Sequence, residues 1–135
     1  MVESYLKLAL LAERNRRDAL IGEADARQFG HRARFRLEAA PLPEVQEGEI
    51  LVKNLWLSLD PYMRGRISAA KSYVKGVEIG EVMVGQTVGE VLESRNAKFS
   101  KGDHVLTQLG WQLFGTTSEA QKVDGKRAPL SYYLG

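Results

Sequence analysis

From Glu49 onward, apolar and polar side chains alternate with a period of two, the signature of strands with one buried face. The stretch "EILVKNLWLSL" predicts a long strand, bounded by Gly48 and by Asp60-Pro61. "VMVGQTVGEVLES" predicts a second, with Gly80, Gly85 and Gly89 marking bends or close approaches of backbone. "FSKGDHVLTQ" carries a Lys-Gly-Asp turn and then a third strand. "GWQLFGTT" predicts a fourth, and "QKVDGKR" a terminal hairpin. Between the first two strands runs "RGRISAAKSYVKGVEIG", a connection without strong periodicity, and connections that long inside a domain tend to carry function.

The N-terminal third is less regular. "YLKLALL" suits a short strand, although Leu6 and Leu10 also permit helix. "ERNRRDALIGEADARQFG" is rich in helix formers, which predicts a helix over 13–28 with Gly30 as its stop. "RARFRLEAA" reads as a strand, closed by "PLPEV", whose prolines block both helix and ladder. The sum is a mostly-β barrel or sandwich with one long excursion.

A chain of 135 residues holds one modest core and not two. Its 44% hydrophobic and 27% charged content is that of a globular protein, and no apolar run is long enough to cross a bilayer. With no cysteine, a disulfide framework, a thiol nucleophile and a cysteine zinc site are excluded. The N-terminus lacks the order of a signal peptide, so a cytoplasmic location is expected. The net charge of +2 is small. Arg32, Arg34 and Arg36 alternate onto one strand face, but no aromatic platform accompanies them, and a solvated face is preferred over nucleic-acid binding.

The stretch "SLDPYMRGR" is unusual for a strand exit: an acid, a proline, a phenol, a thioether and two guanidiniums stand within nine residues. Together with "SYV", "GEVMVGQTVGEV", "FSKGDHV" and "GWQ", it resembles the zinc-independent branch of the medium-chain dehydrogenase/reductase superfamily. Within that branch it is similar to the prostaglandin reductase, leukotriene B4 dehydrogenase, alkenal reductase and curcumin reductase group. The resemblance covers about residues 33–135 and implies a GroES-like, partly open β-barrel with one or two short helices, preceded by an extension over 1–32. In that family a Rossmann domain binding NADPH comes next in the chain. This chain has no G-x-G-x-x-G and stops at "APLSYYLG", which looks like the crossover into that domain.

The resemblance also implies a chemistry. In zinc-dependent relatives a cysteine stands at the position of Asp60 and a histidine near Gly85, so no metal is expected here. NADPH would deliver hydride to the β-carbon of an α,β-unsaturated ketone or aldehyde, while hydrogen-bond donors stabilise the enolate. Tyr62 is the candidate catalytic donor, its alternative being a tyrosine packed on the barrel rim. Tyr73, Asp60 and Met63 are candidates for substrate contact, although Met63 on its own reads as core filler and Asp60 as a positioning group. Pro61 and Arg64 are candidates for the cofactor side, with bracing of the loop preferred for Arg64. Where family members carry prolines after the "SY" position, this chain has Val74-Lys75-Gly76, so no single small-molecule substrate is named.

Two other classes compete with the enzyme domain. One is a free-standing GroES-like barrel that docks proteins without catalysis; the other is a small nucleic-acid-binding barrel. With the cleft-facing side uncovered, Tyr132, Tyr133 and Leu134 are expected to be unprotected and the chain to self-associate, a possible homo-oligomer.

Overall fold

A computed structural model describes residues 4–10, 35–66, 74–78 and 80–135, the backbone alone over 4–10 and 35–39. Of the two readings for the first apolar run, the chain takes the strand. β1 (Ser4–Leu10) pairs antiparallel with β2 (Phe35–Pro41), Ser4 opposite Pro41 and Leu10 opposite Phe35. The helix expected over 13–28 lies outside the described residues, as do Arg32 and Arg34.

The main sheet contains β3 (Ile50–Leu57), β4 (Thr87–Ser94), β5 (His104–Thr107), β6 (Phe114–Thr117) and β7 (Gln121–Val123). Their order is β6-β3-β4-β5-β7, with every pairing antiparallel. β6 and β7 are the edges, so this sheet is open, in keeping with a mostly-β, partly open architecture. The second strand begins at Thr87 and not at Val82, because residues 83–86 serve other partners. The Met83 carbonyl accepts the Trp111 N–H at 2.9 Å, and the Gln86 carbonyl accepts the Ser58 N–H at 2.9 Å.

Both faces of the sheet are covered around the first residues of β3. Ile50 and Val52 pack with Val91, Phe99 and Val105, while Leu51, between them in sequence, packs the other way on Val45 and Phe114. Ile50, Val52, Val88, Val91 and Val105 are fully buried. At about 1.5–3 kcal/mol for each such side chain removed from water, these contacts hold the sheet.

A bulge interrupts the alternation of β3. Asn54 faces Gly89 but Trp56 faces Val88, so Leu55 is the extra residue. Leu55 and Trp56 are exposed in consequence, where an unbroken period of two would bury one of them. Gly89 makes room for the bulge: a Cβ there would run into the Lys53 carbonyl oxygen and lie 2.5 Å from Val52 Cγ1.

The expected terminal hairpin is not formed. β7 pairs with β5, and the chain then folds through a turn on Asp124, whose carbonyl accepts the Arg127 N–H at 3.2 Å, into a 3-10 turn, η1 (Leu130–Leu134). The Tyr133 hydroxyl donates to the Asp124 carbonyl at 2.9 Å. Tyr133 and Leu134 are thereby half-buried, and only Tyr132 of the expected trio stands exposed.

Candidate functional site

The exit of β3 is built by its sequence. Ser58 is tied to β4 through the Gln86 carbonyl, and Pro61 then cannot continue a ladder. Proline is well suited to the start of a helix, and one short helix, α1 (Tyr62–Arg66), begins directly after it. The Met63 N–H bonds the Asp60 carbonyl at 3.1 Å and the Arg64 N–H the Pro61 carbonyl at 3.2 Å. Met63 is the buried residue of this helix and packs with Val77 and Met83, against Val84 and half-buried Trp111. Gly85 admits this packing, since a Cβ there would meet Leu57 Cδ1 at 2.9 Å and Met63 Cε at 3.0 Å.

With Met63 turned inward, Tyr62 is turned outward and is 46% exposed. Tyr62 and Arg66 are four residues apart, hence on one helical face. Both line a cavity of about 500 Å³ together with Asp60, Val84, Gln86 and Gln108. That volume lies within the range of small-molecule sites. One wall, from the strand exit and α1, carries an acid, a phenol and a guanidinium. The other, from the β4 and β5 ends, carries two carboxamides and Val84.

Arg66 also braces the segment beyond it. Its Nη1 donates to the Lys75 carbonyl at 2.6 Å, and its own carbonyl accepts the Val77 N–H at 2.8 Å. Asp60 is half-buried, and among the described residues no ion pair joins it to Arg64.

The structure thus brings together Tyr62 and Asp60 of the residues singled out in the sequence. Met63 belongs to the core and does not line the cavity. Pro61 and Arg64 are exposed and are not among the lining residues. Tyr73 lies outside the described residues. Sequence reasoning missed Val84, Gln86 and Gln108 as lining groups. A signal existed for the glutamines: each neighbours a threonine in a strand, and alternation sends the glutamine to the opposite face once the threonine is known to be buried.

Elsewhere, the Lys-Gly-Asp turn is held by Asp103. Its carboxylate accepts the Ser100 N–H at 2.8 Å and pairs with Lys122 Nζ at 2.9 Å. The Ser100 N–H, and after it the Lys122 ammonium, hold the Asp103 carboxyl below its usual range. His104 is half-buried in β5 opposite Glu90. Among the described residues no three His, Cys, Asp or Glu side chains gather where they could hold an ion. No helix of the described residues is long and apolar enough to cross a membrane.

Comparison with known proteins adds a family. Residues 24–124 match the model of the N-terminal domain of oxidoreductase. The NADPH-dependent curcumin reductase of Escherichia coli is 48% identical over 84 residues, which cover 62% of this chain and 24% of that protein. The NADP(+)-dependent 2-alkenal reductase of Nicotiana tabacum is 43% identical over 98 residues, 68% of this chain and 29% of that protein. Among solved structures, CurA from Vibrio vulnificus superposes with a TM-score of 0.78 at 37% identity, over 97% of this chain and 36% of CurA. A structure of CurA in complex with NADPH matches at 0.76. The chain therefore spans about a third or less of the length of the proteins it matches.

Proposed function

The chain belongs to the family of N-terminal domains of oxidoreductases, and from that premise we propose that it forms the substrate-binding part of an NADPH-dependent reductase of α,β-unsaturated ketones or aldehydes, acting without a metal. The observation that carries this reading is the outward Tyr62 on a cleft shared with Asp60 and Arg66. The names of the relatives, curcumin reductase and 2-alkenal reductase, support the substrate class, and the CurA complex supports the cofactor.

The donor set suits the reacting end of such a pair and not its phosphates. The cleft offers a flat phenol, an apolar Val84 and neutral amides beside the acid of Asp60 and the guanidinium of Arg66, which donates one N–H to the Lys75 carbonyl. Tyr62 and Val84 would flank the nicotinamide, whose chemistry when bound is the supply of hydride to the β-carbon. On this reading the pyrophosphate would be held outside this chain.

The remaining work falls to this chain's side chains. As charge builds on the carbonyl oxygen, the Tyr62 hydroxyl donates a hydrogen bond to it, a donor of a kind worth about 3 kcal/mol in a preorganised site. Asp60 sets the turn that aims Tyr62, through its carbonyl bond to the Met63 N–H. Arg66 holds the neighbouring segment beside the cleft and so limits the entry of water.

A chimera tests this. This chain replaces the matching stretch of the Escherichia coli curcumin reductase, and NADPH oxidation is followed with a simple enone. The chimera should turn over, and Tyr62→Phe should slow it by roughly a hundred-fold. An unchanged rate in the variant removes the phenol from the chemistry.

A further inference from the structure

The β4 and β5 ends contribute a second element to the cleft, and their register explains it. Thr87 and Thr107 face each other in the ladder and are buried, with their hydroxyl oxygens 2.7 Å apart. One step beyond this pair stand Gln86 and Gln108. Because successive side chains leave a strand on opposite faces, a buried threonine pair obliges the two glutamines to leave on the other side. Both line the cleft.

Neither carboxamide makes a side-chain hydrogen bond among the described residues, whereas Gln112, in the same region, donates its amide to the Leu109 carbonyl at 2.6 Å. The Gln86 backbone is fixed by Ser58, so its side chain rises from a rigid base. The wall they form carries up to four N–H donors and no charge. Across it stand Asp60 and Arg66, one charge of each sign, with one Arg66 N–H bonded to the Lys75 carbonyl. A neutral carbonyl oxygen that accepts from such a wall gains hydrogen bonds at little desolvation cost. An alkene of the same shape has no acceptor to offer and leaves these donors to water.

We infer that Gln86 and Gln108 form a paired-carboxamide wall that binds the neutral carbonyl oxygen of the substrate. This rests on reading the cleft as the substrate site, and it names two specificity-determining residues within it. The pair sets preference for unsaturated ketones or aldehydes over alkenes of the same shape that lack the oxygen.

The test titrates the 135-residue chain, labelled with ¹⁵N and with ¹³C in its tyrosine rings, with benzylideneacetone and separately with 1-phenyl-1-butene. The side-chain NH2 resonances of Gln86 and Gln108 should move with the ketone, together with the ring signals of Tyr62. 1-Phenyl-1-butene at equal concentration should leave the glutamine amides in place. The double variant Gln86→Leu/Gln108→Leu should weaken ketone binding roughly ten-fold while the Tyr62 response survives at saturation. If Tyr62 responds and the glutamine amides stay still, the wall is refuted and the site stands. Should neither respond, the site reading fails and the wall with it. Equal glutamine responses to 1-phenyl-1-butene refute the selection. These readouts on the parent chain decide the matter even if the double variant folds poorly.

Discussion

The buried hydroxyl pair behind the cleft wall makes a quantitative prediction. Thr87 and Thr107 are 0% and 4% exposed, and their oxygens lie 2.7 Å apart, so one hydroxyl donates to the other. Thr87→Val keeps the shape but strands the Thr107 hydroxyl in an apolar interior. Leaving such a group unpaired costs about 2 kcal/mol. With a urea dependence of about 1.5 kcal/mol/M, the unfolding midpoint falls by roughly 1.3 M. Thr107→Val should do the same for the mirror reason. Replacing both removes both hydroxyls, puts two methyl groups in contact and suits a strand, so the double variant should lie within about 1 kcal/mol of the parent. The coupling energy of the cycle is then about 3–5 kcal/mol, at or above the upper end for residues in contact. The assay is urea unfolding followed by the fluorescence of Trp111, half-buried beside the Met63 cluster. A double variant that loses the sum of the two single losses would refute the reasoning, because the hydroxyls would then be satisfied independently.

Three further outcomes are expected. Gly89→Ala drives a Cβ into the Lys53 carbonyl at the bulge and should cost about 3 kcal/mol, lowering the melting temperature by roughly 10 °C in calorimetry. Asp103 titrates below its unfolded value in the folded chain, so its contribution is complete above about pH 4 and is lost as pH falls through the folded value. Asp103→Asn should flatten that acid limb in urea midpoints measured against pH, and parallel curves for parent and variant would count against the Ser100 and Lys122 contacts. Arg66→Met removes the bond to the Lys75 carbonyl, so exchange of the Val77 amide should quicken roughly ten-fold while β4 amides keep their protection.

Much of the sheet was legible because its strands are coded locally. The period of two over 49–59, the Lys-Gly-Asp turn and the glycine positions are properties of neighbouring residues, and β3, β4, β5 and β6 fall where they indicate. The misses come from pairing. "QKVDGKR" has a turn in the right place, but a hairpin needs a returning strand, and β5 offered β7 a better partner. The Leu55 bulge is equally invisible along the chain, since an extra residue is defined only against the strand opposite it.

For the site, the divide runs along the same line. Taken by itself, the sequence determined that Asp60-Pro61 ends a strand and that Tyr62 opens the next segment, because proline removes a donor and fixes a backbone angle wherever it stands. Only the tertiary structure decided that Met63 turns into the core and Tyr62 out of it, since that choice depends on Met83 and Val77 arriving from elsewhere. It also decided that Gln86 and Gln108, 22 positions apart by their numbers, share one wall with the phenol. The reason is physical: which face a side chain takes is set by register between strands, and register is an energy of two segments, written in neither of them alone.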